Sequence, residues 1–172
     1  MTRSFIALGS NLEEPLAQLQ RGTRAIAKLP ETSITAASGI YRSAAVGPGE
    51  QPDYLNAVLE VQTTLAPLTL LKALQAIESL QGRVRGQRWA ARTLDLDILL
   101  YGRGSLQLPG LVIPHPRMTE RDFVLYPLLE ISDPNLMLPG GAELGTLVAA
   151  CPRGELHRTE LPLRPDGDDS DH

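Results

Sequence analysis

The chain has 172 residues, enough for one well-packed domain and short for two. A formal net charge of −4 excludes the basic face that bulk nucleic-acid binding needs, and Asp166, Asp168, Asp169 and Asp171 account for all of that charge, leaving a near-neutral body. No apolar run approaches the roughly 20 residues of a membrane-spanning helix, and Cys151 stands alone, so no intramolecular disulfide forms and a reducing compartment is compatible.

Residues 3–8 read as a first strand, too short an apolar stretch for a secretory signal. After Gly9-Ser10-Asn11, Leu16, Leu19, Ala25, Ile26 and Leu29 recur at helical spacing, and Pro15 suits the first turn of that helix. Residues 32–41 are expected to form a second strand, and the glycines and prolines of 46–53 an exposed loop. From Tyr54 to Thr64 a third strand points Leu55, Ala57, Leu59 and Val61 one way and Tyr54, Asn56 and Val58 the other. Pro67 opens a second helix, through Leu71, Leu74, Ile77, Glu78 and Leu80, that stops at Gly82. A fourth strand then runs from Thr93 to Tyr101.

This βαββαβ order predicts an α+β, ferredoxin-like unit, a mostly antiparallel sheet flanked by helices. Beyond it, Gly102-Arg103-Gly104 suggests a tight hairpin, Thr119–Leu129 a short helix and Leu144–Ala150 a last helical piece. Apolar periodicity is lost after Pro152, so residues 1–160 are expected to be one domain and 161–172 a disordered acidic tail.

Chemistry concentrates in the fourth strand. Period-two alternation puts Asp95 and Asp97 on one face, and two adjacent carboxylates repel unless a cation sits between them. Magnesium accepts carboxylate and phosphate oxygens, and the preceding stretch 83–92 holds Arg83, Arg85, Arg88 and Arg92 with no acid, suited to gripping a polyphosphate. A wet strand edge and a solvated loop are the bland explanations. Trp89 weighs against them, because a lone tryptophan in a polar loop needs something to cover. There is no Walker-type G-x-x-x-x-G-K-[ST] and no G-x-G-x-x-G, so a nucleotide would have to be held by carboxylates, metal and arginines.

Five separated blocks resemble the 6-hydroxymethyl-7,8-dihydropterin pyrophosphokinase family of folate biosynthesis. They are Ile6-Ala7-Leu8-Gly9-Ser10-Asn11, Gln51-Pro52-Asp53-Tyr54-Leu55-Asn56-Ala57, Gly82-Arg83-Val84-Arg85, Arg88-Trp89 with Arg92-Thr93-Leu94-Asp95-Leu96-Asp97-Ile98, and Pro114-His115-Pro116-Arg117-Met118 with Arg121-Asp122-Phe123-Val124-Leu125; Ala90-Ala91 depart from the family pattern. The resemblance implies transfer of pyrophosphate from ATP, with two magnesium ions, to the pterin hydroxymethyl, releasing AMP. It implies Asp95 and Asp97 as metal ligands and, with Arg83 and Arg92, as the catalytic set. By the same resemblance Gln75, Glu78, Arg85, Arg88, Trp89, Ile98, His115 and Arg121 serve the nucleotide. Tyr54 and Phe123 would stack on the pterin, Asn56 would hydrogen-bond it, and Ser43 and Val46 would supply loop contacts. The expected partners are ATP and the pterin alone, with neither nucleic acid nor membrane, for a monomer in the cytoplasm.

Two other classes fit parts of the sequence. Another magnesium-dependent nucleotidyl or phosphoryl transferase acting on a flat heterocycle could use the same aspartates and arginines. A ferredoxin-like RNA-binding module would need exposed sheet aromatics and a basic surface, against an aromatic content of 4% and a neutral body.

Overall fold

Apolar residues in both alternating sets of three long strands let each of them bury side chains on both faces. The computed structural model describes residues 1–11, 14–44, 53–81 and 94–164. Strands β1 (Thr2–Ser10) and β4 (Tyr54–Thr63) form the middle of an antiparallel sheet, with β5 (Asp95–Tyr101) at one edge beside β1 and with β2 (Thr32–Ala37), β3 (Tyr41–Ser43) and β8 (His157–Arg158) on the β4 side. The strand order is β5-β1-β4-β3-β8, with β2 also paired to β4. Helices α1 (Pro15–Ala27) and α2 (Pro67–Leu80) are the crossovers between β1 and β2 and between β4 and β5.

One face of the sheet carries Ile6, Leu8, Leu55, Ala57, Leu59, Val61, Leu96 and Ile98 against Leu19 and Ile26 of α1 and Leu70, Leu74 and Ile77 of α2. The other face carries Phe5, Val58, Leu99 and Leu100 against α3 (Asp122–Ile131) and α4 (Leu144–Ala150). Among the described residues, the helices on this second face pack over the Phe5 end and leave the Gly9 end open.

Several boundaries differ from expectation. The second strand is two strands, because Ser38 leaves the regular ladder: its hydroxyl accepts the Val58 N–H at 2.9 Å, and the next N–H, of Gly39, turns to Glu130. Gly102 and Arg103 do turn the chain, but the hairpin comes later, at Pro109-Gly110 between β6 (Leu106–Leu108) and β7 (Leu111–Ile113). Gly110 takes the left-handed φ of 80° that this turn requires. The helix expected over 119–129 begins at Asp122, after a 3-10 turn at Met118–Glu120 anchored by fully buried Met118. The ordered chain also runs past residue 160. Leu163 is buried in the first core, Leu161 packs against it, and the Pro162 carbonyl accepts from Gln20 at 2.7 Å, so 161–164 do not belong to a tail. Residues 165–172 lie outside the described residues.

Candidate active site

The open end of the second sheet face is a cleft of about 500 Å³. Its floor is set by strand register. Asp97 lies opposite Ala7 and Asp95 opposite Gly9, while Gly9 lies opposite Asn56 on its other side. The two small β1 residues leave space that larger side chains would fill, and both aspartates line it. Leu99 and Val124 supply apolar floor, and Phe123, in the first turn of α3, flanks the cleft. The guanidinium of Arg121 lies 5.5 Å from the Phe123 ring centroid, a cation–π contact that couples a cleft cation to the ring.

On the β4 side Asn56 is 4% exposed. Its Nδ2 donates to Ser43 Oγ at 2.8 Å and to the Tyr41 carbonyl at 3.3 Å, so two acceptors on β3 set the amide plane. Tyr54 and Ala44 line the cleft beside it.

His115 enters from the segment after β7, its N–H bonded to the Leu99 carbonyl at 3.0 Å. Burial holds its imidazole below the ordinary histidine range, Arg121 and Arg117 push the same way, and the Asp97 carboxylate pulls back. Nδ1 accepts the Arg117 N–H at 3.3 Å, so in the neutral ring Nε2 carries the proton and is a donor. A neutral donor beside two arginines favours a phosphate oxygen as its partner and makes it a poor choice of base.

The donor set of the aspartate pair is oxygen only. Among the described residues no cluster of three His, Cys, Asp or Glu side chains could cage a metal. A hard divalent cation that takes one or two carboxylates and completes its shell with phosphate and water oxygens fits this pair, whereas a soft or fully caged ion does not.

The structure thus brings together Ser43, Tyr54, Asn56, Asp95, Asp97, His115, Arg121 and Phe123 from five segments of the chain. Three other expected residues fall elsewhere. Gln75 is exposed on α2, and Glu78 is buried, its Oε2 accepting the Leu96 N–H at 2.8 Å between the two aspartates. Ile98 is 3% exposed and turned into the core on the opposite face, so it can offer a nucleotide only main-chain atoms. Val46, Arg83, Arg85, Arg88, Trp89 and Arg92 lie outside the described residues. Sequence reasoning missed Ala7, Gly9, Leu99 and Arg117 as cleft residues. Arg117 was within reach, in the same block as His115; the small β1 residues become meaningful only once the register is known.

Residues 5–133 match the 7,8-dihydro-6-hydroxymethylpterin-pyrophosphokinase family. A Pseudomonas aeruginosa protein named 2-amino-4-hydroxy-6-hydroxymethyldihydropteridine pyrophosphokinase is 54% identical over 150 residues, covering 87% of this chain and 92% of that protein. A Haemophilus influenzae protein of the same name is 49% identical over 148 residues, covering 86% and 92%. A crystal structure of an HPPK-DHPS in complex with substrates superposes with a TM-score of 0.66 at 12% identity, covering 87% of this chain and 45% of that longer one; it speaks for the fold alone.

Proposed function

The chain belongs to the 7,8-dihydro-6-hydroxymethylpterin-pyrophosphokinase family and transfers pyrophosphate from ATP to 6-hydroxymethyl-7,8-dihydropterin in folate biosynthesis, and we propose how its residues divide that work. The hydroxymethyl oxygen bonds to the β-phosphorus as the α,β-bridging bond breaks, and the electron pair leaves on AMP. Alcohol, phosphorus and leaving oxygen must lie nearly in line, so positioning supplies much of the rate.

Asp95 and Asp97 hold two magnesium ions, a role supported by their shared face and by the space in front of them. When bound, magnesium neutralises phosphate charge and makes the attacking hydroxyl more acidic. His115 Nε2–H and Arg121 bind the phosphate tail, with Arg117 as a second cation on that wall. Arg83 and Arg92 are the cations that meet charge developing on the transferred group, while Arg85, Arg88, Trp89, Gln75, Glu78 and the main chain of Ile98 complete the nucleotide side; the basis is sequence resemblance. Tyr54 and Phe123 stack on the flat pterin and Asn56 bonds its amide edge, with further contacts from Ser43 at the end of β3 and, on the basis of sequence resemblance, from Val46; the buried, pre-oriented amide of Asn56 supports this subsite.

The core is a ferredoxin-like split βαβ unit with α3 and α4 added; the order β5-β1-β4-β2 with two helical crossovers supports it. The enzyme acts as a monomer in the cytoplasm. Its exposed large apolar side chains among the described residues are spread over separate elements or opposite helix ends, and no helix there is long and apolar enough to cross a membrane.

The observation that carries this reading is the convergence of the aspartate pair, the His115–Arg121 wall and the Tyr54–Asn56–Phe123 group on one cleft. Incubation with ATP, magnesium and the pterin should give AMP in equal amount to diphosphorylated pterin. ADP as the main product, or nucleotide turnover indifferent to the pterin, overturns it.

A further inference from the structure

Near the C-terminal end of α3, outside the cleft lining, the Glu130 carboxylate collects donors from two other segments. Oε1 accepts the Tyr41 phenol at 2.8 Å and Arg158 Nε at 3.3 Å; Oε2 accepts Arg158 Nη2 at 3.2 Å and the Gly39 N–H at 3.0 Å. Arg158 lies flat against Gly39, where an added Cβ would come within 2.6 Å of the guanidinium. Main-chain pairing fixes the same segments: Arg158 lies opposite Tyr41 and His157 opposite Arg42, and Thr159 gives both its N–H and its hydroxyl to the Ile40 carbonyl, each at 2.8 Å. A half-exposed Arg–Glu pair contributes little to stability by itself, and neither member lines the cleft.

The other end of this network does reach the cleft. Tyr41 accepts Asn56 Nδ2 through its carbonyl, and Ser43, two residues on, accepts the same nitrogen through Oγ. Which way the remaining Asn56 oxygen faces therefore depends on where β3 sits. With only three residues, β3 meets β4 through three register pairs, a short strip to hold a strand in place.

We propose that the C-terminal segment 156–159 is a positioning strap for the heterocycle subsite, in which Arg158 and Glu130 clamp Tyr41 and thereby hold β3, so that Asn56 and Ser43 present fixed polar groups to the ring. The proposal rests on the assignment of Asn56 to the pterin side. Arg158, Glu130 and Tyr41 are positioning residues that touch no substrate. The aspartate pair stands on β5, at the opposite edge of the sheet, so loosening β3 weakens pterin binding and spares the nucleotide side.

The test uses the full chain and compares steady-state constants for Arg158→Ala, Tyr41→Phe, Gly39→Ala and Arg158→Lys. The first three should raise KM for the pterin about three- to tenfold, the scale of one or two lost hydrogen bonds, with KM for ATP and kcat within about twofold, and Arg158→Lys should recover part of the loss. Gly39 has no left-handed φ, so alanine there displaces the guanidinium without straining the backbone. If Arg158→Ala does not fold, Tyr41→Phe and Gly39→Ala still decide the matter. An active wild type whose variants keep the pterin KM, or lose both KM values together as thermal stability falls, overturns the strap alone. A wild type without pterin-dependent AMP formation overturns the functional reading and the strap with it.

Discussion

Asp97 on β5 lies directly opposite Ala7 on β1, and the small size of that partner is what leaves the carboxylate facing open space. Asp97→Ala should therefore leave circular dichroism and melting temperature close to wild type, since little packing is lost, while turnover falls about 10²- to 10³-fold, the range for one preorganised charge-stabilising group. Asp95→Ala should behave alike. Wild-type kcat at saturating magnesium in either variant would show that the pair does not hold the metal.

The same register predicts the reverse experiment. Ala7→Leu puts a branched side chain into the cleft beside Asp97, and turnover should drop at least about tenfold because displacement of the reacting groups by an ångström is costly. Gly9→Ala is the control for the fold: its Cβ would meet Asn56 Oδ1 at 3.5 Å, an ordinary contact, so the melting temperature should hold. Equal activity of Ala7→Leu and wild type would place the substrates elsewhere.

Acid stability should report on Glu130. Hydrogen bonds from Arg158, Tyr41 and the Gly39 N–H outweigh the opposing effect of burial and hold its carboxyl below the ordinary 4.5. A depressed carboxylate contributes stability that is present above 4.5 and is lost as pH falls through its folded value. The melting-temperature gap between wild type and Glu130→Gln should thus hold steady from neutrality down to about pH 4.5 and close progressively below it. On the alkaline side, burial and then Glu130 push the Tyr41 phenol up to about 12, so its ultraviolet titration should come late and move down in Glu130→Gln. A gap independent of pH would exclude the carboxylate as its source.

Leu163 tests the C-terminal boundary. It is 6% exposed and belongs to the first core, so Leu163→Ala should cost about 2–4 kcal/mol, the usual range for a buried leucine. At this size that lowers the melting temperature by roughly 4–16 °C. An unchanged melting curve would return residues 161–164 to the tail.

Much of this was legible in the chain because its signals are local. Alternation along 54–64 assigns Leu55, Ala57, Leu59 and Val61 to one face and Asn56 and Val58 to the other, since neighbouring strand residues point oppositely whatever surrounds them. The D-x-D pair is legible for the same reason. Less local features were misread: Ser38 breaks a strand by bonding to a residue twenty positions away, and Leu163, flanked by prolines and charges, carries no periodicity to announce that it is buried.

By itself, then, the sequence determined the strand–helix alternation of the core, the faces of the long strands and the paired carboxylates, because these follow from side-chain periodicity and from residue chemistry. Only the tertiary structure decided that Ala7 and Gly9 stand before those carboxylates, that Ile98 turns away from them, and that Arg158 pairs with β3, whose Tyr41 and Ser43 accept from Asn56. Register and long-range contact are set by how whole strands align and pack, and one residue of slip would exchange every face.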